Sequence, residues 1–123
     1  MKFKKKGTIK IAIDSPAAAG AGTLAKTISK HYNLFYLDTG KIYRYIANLK
    51  LKSSRNLSIS LLKKKIKTLK MIYLGNKELL SDKVGVEASI ISKNKKIRNL
   101  VHSFQINCAY SPPRKYNGSC LDG

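Results

Sequence analysis

Residues 15–23, "SPAAAGAGT", have the chemistry of an anion cradle. Small residues let successive backbone N–H groups curl toward one centre. A helix beginning just after them would aim its positive end at the same point. Gly20 and Gly22 permit close backbone approach, and Thr23 places a hydroxyl where a phosphate-bound Mg²⁺ is usually held. Against the phosphate-loop pattern G-x-x-x-x-G-K-[ST], Ser15 stands at the first glycine and Ala21 at the lysine. On that pattern alone, a phosphate loop with one part changed and a flexible strand–helix turn both remain open.

Such a loop needs a strand behind it and a helix ahead. Residues 8–14, "TIKIAID", read as a short buried strand, and residues 23–31 as a helix with Leu24, Ile28 and Tyr32 on one face. Residues 34–37, "LFYL", form a second strand, residues 38–40, "DTG", a turn, and residues 42–51 a helix. Strand, loop, helix and strand within about 30 residues make a βαβ unit with parallel pairing. Residues 58–74 are expected to be one amphipathic helix with Leu62, Ile66, Leu69 and Tyr73 inward and a solvated basic face outward. Residues 76–80 suggest a short extended piece. Helices follow over "SDKVGVEASIIS", with Ser81 as N-cap, and over "KNKKIRNLVHSFQINCAY", which ends at Ser111, Pro112 and Pro113. Residues 119–123, "SCLDG", read as a third strand leading into a functional turn at the edge of the sheet. A parallel strand left there uncovered implies that the natural chain continues.

The 123 residues fit one domain. No apolar run approaches the ~18 residues of a membrane span, and the basic start is followed by too short an apolar stretch for a secretory signal. Cys108 and Cys120 have no CxxC partner, which fits reduced thiols and a cytoplasmic setting better than a disulfide or metal site. The net charge of +19, from 25 basic and 6 acidic residues, favours phosphate ligands and keeps a basic nucleic-acid-binding module as an alternative. The lysines are spread along the whole chain, however, and no aromatic RNA-binding signature interleaves with them.

Five segments, taken in order, resemble the bacterial cytidylate kinase family, which phosphorylates CMP and dCMP with ATP. "IAIDSPAAAGAGTLAK" is similar to the family's I-D-G-P-A-G-S-G-K-G-T-L-A-K, and "YLDTGKIYR" to Y-L-D-T-G-x-x-Y-R. "VEASIISKNKKIRNL" and "FQINCAYSPP" resemble its A-S…V-R and Q-R-x-F segments, and "CLDG" the strand entering its G-R-D-I-G turn. The likeness runs from about residue 8 to residue 123. It implies an α/β fold of the P-loop NTPase type, three-layer α/β/α with a parallel sheet incomplete at the C-terminal end. Residues 1–50 would be the ATP-binding βαβ core, about 51–92 a shortened CMP-binding insert, and about 93–123 the return to the core.

The resemblance implies that the backbone of Ala17, Ala18, Ala19, Gly20, Ala21, Gly22 and Thr23 wraps the ATP phosphates, with Thr23 toward Mg²⁺. It implies that Asp38 holds the sugar of CMP and Arg44 its phosphate. Ser89 and Arg98, nine residues apart as in relatives, would read the cytosine O2 and N3 acceptors. A monomer working on small nucleotides, away from membranes, is expected, and no catalytic side chain is assigned. Without the resemblance, Asp38 reads as a helix cap, Arg44 and Arg98 as surface cations, Ser89 as a polar helix residue and Tyr43 as packing. His31 and His102 stand apart from any acid and read as surface residues.

The departures are specific. Ala21 removes a cation from the transferring phosphoryl group, a loss of about 2–4 kcal/mol by analogy with deleting one preorganised donor. Lys26 is the nearest substitute. Leu80 stands where relatives have arginine. The arginine and aspartate of the G-R-D turn and the arginine-bearing lid lie outside these residues, so the 123 residues are expected to turn over poorly by themselves. A catalytically impaired nucleotide-binding remnant is therefore a further alternative.

Overall fold

The computed structural model describes residues 9–13, 21–53 and 57–123. They divide into two compact units, residues 1–39 with 105–123 and residues 40–104.

The first unit is built on a parallel three-stranded sheet of β1 (Ile9–Ile13), β2 (Phe35–Asp38) and β3 (Gly118–Asp122), in the order β1-β3-β2. β3 is therefore the central strand, not the edge, and β1 and β2 do not pair with each other as a bare βαβ reading implies. Gly118, Ser119 and Cys120 are all buried, as a strand flanked on both edges must be, and at Gly118 the β1 backbone comes too close for any side chain. The register runs from Ile9 opposite Gly118 to Ile13 opposite Asp122, and from Phe35 opposite Ser119 to Asp38 opposite Asp122. The three strands consequently finish level.

Helix α1 (Ala21–Tyr32) covers one face of this sheet. Its fully buried Ala25 meets Cys120 and Leu34, with Ile9, Ile11, Ile13, Ile28 and Tyr36 packed round them. The expected stripe of Leu24, Ile28 and Tyr32 is corrected here. Leu24 and Tyr32 are about half exposed, while Ala25 and Ser29 turn inward. Small residues bring the helix axis close to the sheet, and the Ser29 hydroxyl is satisfied by donating to the Ala25 carbonyl at 2.7 Å. The helix stops at Asn33, whose φ of 55° is the left-handed conformation that asparagine tolerates. Leu34 N–H donates to Ser29 O and Asn33 N–H to Lys30 O, the paired bonds that close a helix C-terminus. On the opposite face of β3, Ser119 Oγ donates to Cys108 O at 2.7 Å, at the end of α5 (Lys95–Tyr110). Helical segments thus lie against both faces of the central strand, an α/β arrangement of the P-loop kinase kind.

β2 passes directly into α2 (Thr39–Lys52), so no turn separates Asp38 from the helix. Within the second unit, α2 is followed by α3 (Ile59–Lys67), two 3-10 turns (Met71–Gly75 and Lys77–Leu80) and α4 (Asp82–Ile91). The single helix expected over 58–74 is broken at Thr68. That hydroxyl turns back onto the Lys64 and Lys65 carbonyls, competing with helix continuation. The break shifts the inward-facing phase of residues 71–75. Leu62 and Ile66 remain inward, but Leu74 is buried in place of Tyr73. Residues 77–80 are helical turn, not extended, because Asn76 accepts from Glu78 N–H and caps it. Ser81 caps α4 as expected, accepting from Val84 N–H at 3.2 Å.

Candidate functional site

The strand ends of the first unit bring three groups together. In an open parallel sheet the crevice beyond the carboxyl ends of the strands is where ligands bind. Asp38 and Asp122 are register partners there, and Gly123 N–H donates to Ile13 O at 2.9 Å, holding β1 level with them. Cys120 faces α1, with its thiol against the Ala25 carbonyl. By strand alternation Asp122 faces the same way. It does: a Cβ placed on Gly22, at the front of α1, would lie 3.6 Å from Asp122 Oδ2. A carboxylate therefore rests beside the first turn of the helix, one residue from Thr23.

Tyr36 completes this group. Its ring packs in the α1 core cluster, and its hydroxyl donates to Asp122 Oδ2 at 3.0 Å. Burial raises the phenol well above its usual range. The bond to Asp122 and the nearby charges of Asp38 and Asp122 push the same way. Tyr36 is thus a fixed donor at any ordinary pH.

Of the phosphate-wrapping residues, Ala17, Ala18, Ala19 and Gly20 lie outside the described residues, as does Ser15. Ala21, Gly22 and Thr23 form the first turn of α1, where amide N–H groups have no intrahelical partner and the helix dipole is positive. Such a turn suits a phosphate. Thr23 and Asp122 offer oxygen donors of the kind a hard divalent cation takes, together with phosphate oxygens and water. The donor set at the helix front therefore fits a phosphate-bound metal. Among the described residues no cluster of three or more His, Cys, Asp or Glu exists to cage a metal by protein alone.

Arg44, Ser89 and Arg98 belong to the second unit. Arg44 reaches from α2 to the junction before α4. Its Nη1 donates to Leu79 O at 2.7 Å and more weakly to Ser81 O at 3.4 Å. The guanidinium lies on Gly85, where a Cβ would sit 3.0 Å from Nη2. It is an anchored cation, not a loose surface one. Ser89 and Arg98 are exposed, on α4 and α5. Tyr43 is half-buried, which raises its hydroxyl against the opposing pull of the Arg98 charge. Lys50 pairs with Glu87 at 3.5 Å, and Glu78 accepts from Asn48 and Lys52, joining α2 to its neighbours. The Lys52 and Asn48 bonds hold the Glu78 carboxyl below its ordinary value. Leu80 is largely exposed. His31 and His102 are exposed, as expected. Both cysteines are free thiols.

Sequence reasoning assigned nothing to Asp122, Tyr36 or Gly85. The signal for Asp122 was present: an acid closing a strand of small, buried residues. Those for Tyr36 and Gly85 were not, because each depends on a partner distant in the chain.

A parallel three-stranded sheet in the order β1-β3-β2, with a strand-end carboxylate beside the front of the first helix, is an α/β arrangement of the P-loop kinase-like class. Comparison with known proteins narrows that class. The family model described as cytidylate kinase matches residues 11–115. Proteins named cytidylate kinase from Rhodopseudomonas palustris and Bradyrhizobium sp. are each 40% identical over 114 residues, 92% of this chain and 52% of theirs. One from Bartonella tribocorum is 40% identical over 119 residues, covering 92% of this chain and 51% of the relative. The chain belongs to the cytidylate kinase family, and it spans about half the length of the curated relatives it matches. No helix among the described residues is long and apolar enough to cross a membrane.

Proposed function

We propose that this protein works as a nucleoside monophosphate kinase that moves the γ-phosphate of ATP to CMP or dCMP, giving CDP or dCDP. The observation carrying this reading is the 40% identity to enzymes named cytidylate kinase over 92% of the chain. The helix-front geometry supports it. Backbone N–H groups of residues 17–23 receive the ATP phosphates, and Thr23 with Asp122 would hold Mg²⁺. When bound, Mg²⁺ neutralises charge on the β- and γ-phosphate oxygens. Asp38 takes the sugar of CMP, Arg44 its phosphate, and Ser89 with Arg98 the base. The acceptor is an oxygen of the CMP phosphate, ionised at neutral pH, so the chain needs positioning and charge stabilisation more than a strong base. Residues 1–50 make the ATP-binding core, about 51–92 the shortened CMP-binding insert and about 93–123 the return to the core, with Asp38, Arg44 and Arg98 serving CMP from outside the insert. A monomer in the cytoplasm with small-molecule nucleotide partners completes the proposal.

Ala21 makes the proposal testable. If the missing lysine weakens a working site, Ala21→Lys restores about 2–4 kcal/mol of transition-state stabilisation, a gain of roughly 30- to 1,000-fold in phosphotransfer. Transfer from ATP to CMP, dCMP, UMP and AMP is measured for both versions within the full-length protein, because the 123 residues by themselves are expected to turn over poorly. Faster formation of CDP and dCDP by the lysine variant supports the kinase. A variant as inert as its parent makes the site a nucleotide-binding remnant. Steeply salt-dependent binding to any RNA, with no mononucleotide preference, makes the protein a nucleic-acid binder.

A further inference from the structure

We infer that Tyr36 is a positioning residue for the metal-bound nucleotide: its hydroxyl fixes the Asp122 carboxylate against the front of α1, in the orientation that meets the phosphate-bound cation beside Thr23. The inference rests on the kinase reading above. It concerns a residue that never touches the nucleotide.

Asp122 ends a strand, and nothing else described pins its side chain. The carboxylate has two oxygens, and the Tyr36 hydroxyl occupies Oδ2 at 3.0 Å. The ring that carries this hydroxyl packs against the cluster of Ala25, Leu34 and Cys120 under α1. The β2–β3 register sets the reach. Tyr36 lies opposite Cys120, so its side chain spans two positions along β3 to reach Asp122 on the same face. Asp122 Oδ2 is also the oxygen at the helix front, 3.6 Å from a Cβ placed on Gly22, so the hydroxyl fixes the carboxylate there while leaving its remaining lone pairs open. Groups that orient a metal-holding carboxylate in this way govern its affinity although they lie outside the coordination sphere.

The test is the metal dependence of ATP binding. ATP is titrated into the chain and into Tyr36→Phe, in EDTA and over a series of Mg²⁺ concentrations. Phenylalanine keeps the packed ring and removes only the hydroxyl. ATP affinity in EDTA is expected to stay within about twofold. The Mg²⁺ concentration giving half of the metal-dependent gain is expected to rise about tenfold, the low end for loss of an outer-shell partner. A merely structural role would weaken both conditions together. The same titration in Asp122→Asn, alone and combined with Tyr36→Phe, closes a double-mutant cycle. Tyr36→Phe should add nothing once the carboxylate is gone. Metal-dependent binding left unchanged by Tyr36→Phe, or a full additional loss in the Asp122→Asn background, overturns this inference alone. Mg²⁺-independent ATP binding by the unmodified chain overturns the Thr23 and Asp122 reading as well.

Discussion

Gly118 is the position where a single added methyl should do most damage. A Cβ there would stand 1.9 Å from Ile9 O, 2.7 Å from Ile9 C and 2.8 Å from Ile9 N. All three atoms are backbone, so no rotamer change relieves the clash. Ordinary carbon contacts need about 3.5 Å, and β1 would have to retreat by roughly 1.5 Å from a strand normally about 4.8 Å away. Ile9 N–H donates to Asn117 O at 3.2 Å, at the start of the β1–β3 ladder, and that displacement takes it beyond bonding range. Losing one or two such bonds, with partners left buried, costs about 3–5 kcal/mol. Reduced freedom of the unfolded chain returns about 0.4–1 kcal/mol. Gly118→Ala should therefore lower stability by about 2–4 kcal/mol, or roughly 10–15 °C in Tm. Thermal and urea unfolding followed by far-UV circular dichroism reads this directly. Gly75→Ala is the internal control, since nothing lies within 4 Å of a Cβ there, and it should stay within about 0.5 kcal/mol. A Gly118→Ala protein melting within 3 °C of its parent, or no worse than Gly75→Ala, would refute the strand order and register. That matters for function, because the same register levels Asp122 with the end of β1.

Arg44→Met removes the Nη1 bonds to the Leu79 and Ser81 carbonyls and should lower the urea midpoint by the equivalent of about 1.5–3 kcal/mol. Arg44→Lys, lacking the planar fork, should recover little of it, and an unchanged midpoint in both would show the anchoring to be idle. Ser81→Ala deletes the cap on Val84 N–H and should cost about 1 kcal/mol in the same assay; no loss would mean that water caps α4 equally well. Burial pushes the Cys108 thiol up to about 11, and Cys120 is fully buried. The folded chain should resist alkylation at pH 8, with Cys108 reacting only as pH approaches 11. Because that folded-state value lies above the ordinary thiol range of about 8.5, the associated stability is present below that range and declines as pH rises through about 11. Rapid alkylation of native protein at pH 8 would contradict it.

The α/β class was legible because β-branched strand residues, a small-residue turn and a helix follow one another within the first 32 positions. Ser81 was legible as a cap because capping is local. Sheet order was not. Which strand lies in the middle depends on how Gly118, Ser119 and Cys120 fit between two layers, and neighbouring residues carry no trace of that. Helix breaks were missed where a side chain competed with the backbone, as Thr68 does, and the buried face of α1 was missed because Ala25 and Ser29 pack closer than larger residues can. At the site, motif order pointed to residues by resemblance to a family. It could not show that Tyr36 bonds to an aspartate 86 positions away, or that Arg44 lies on Gly85.

Equilibrium binding of CMP against AMP, at physiological and at high salt, tests the proposed function most directly. CMP should bind at least about tenfold more tightly, the discrimination expected when side-chain hydrogen bonds made to one base are lost with the other. Raising salt should weaken both nucleotides together and leave their ratio intact. Equal affinity for the two, or no saturable binding of either, would contradict the account.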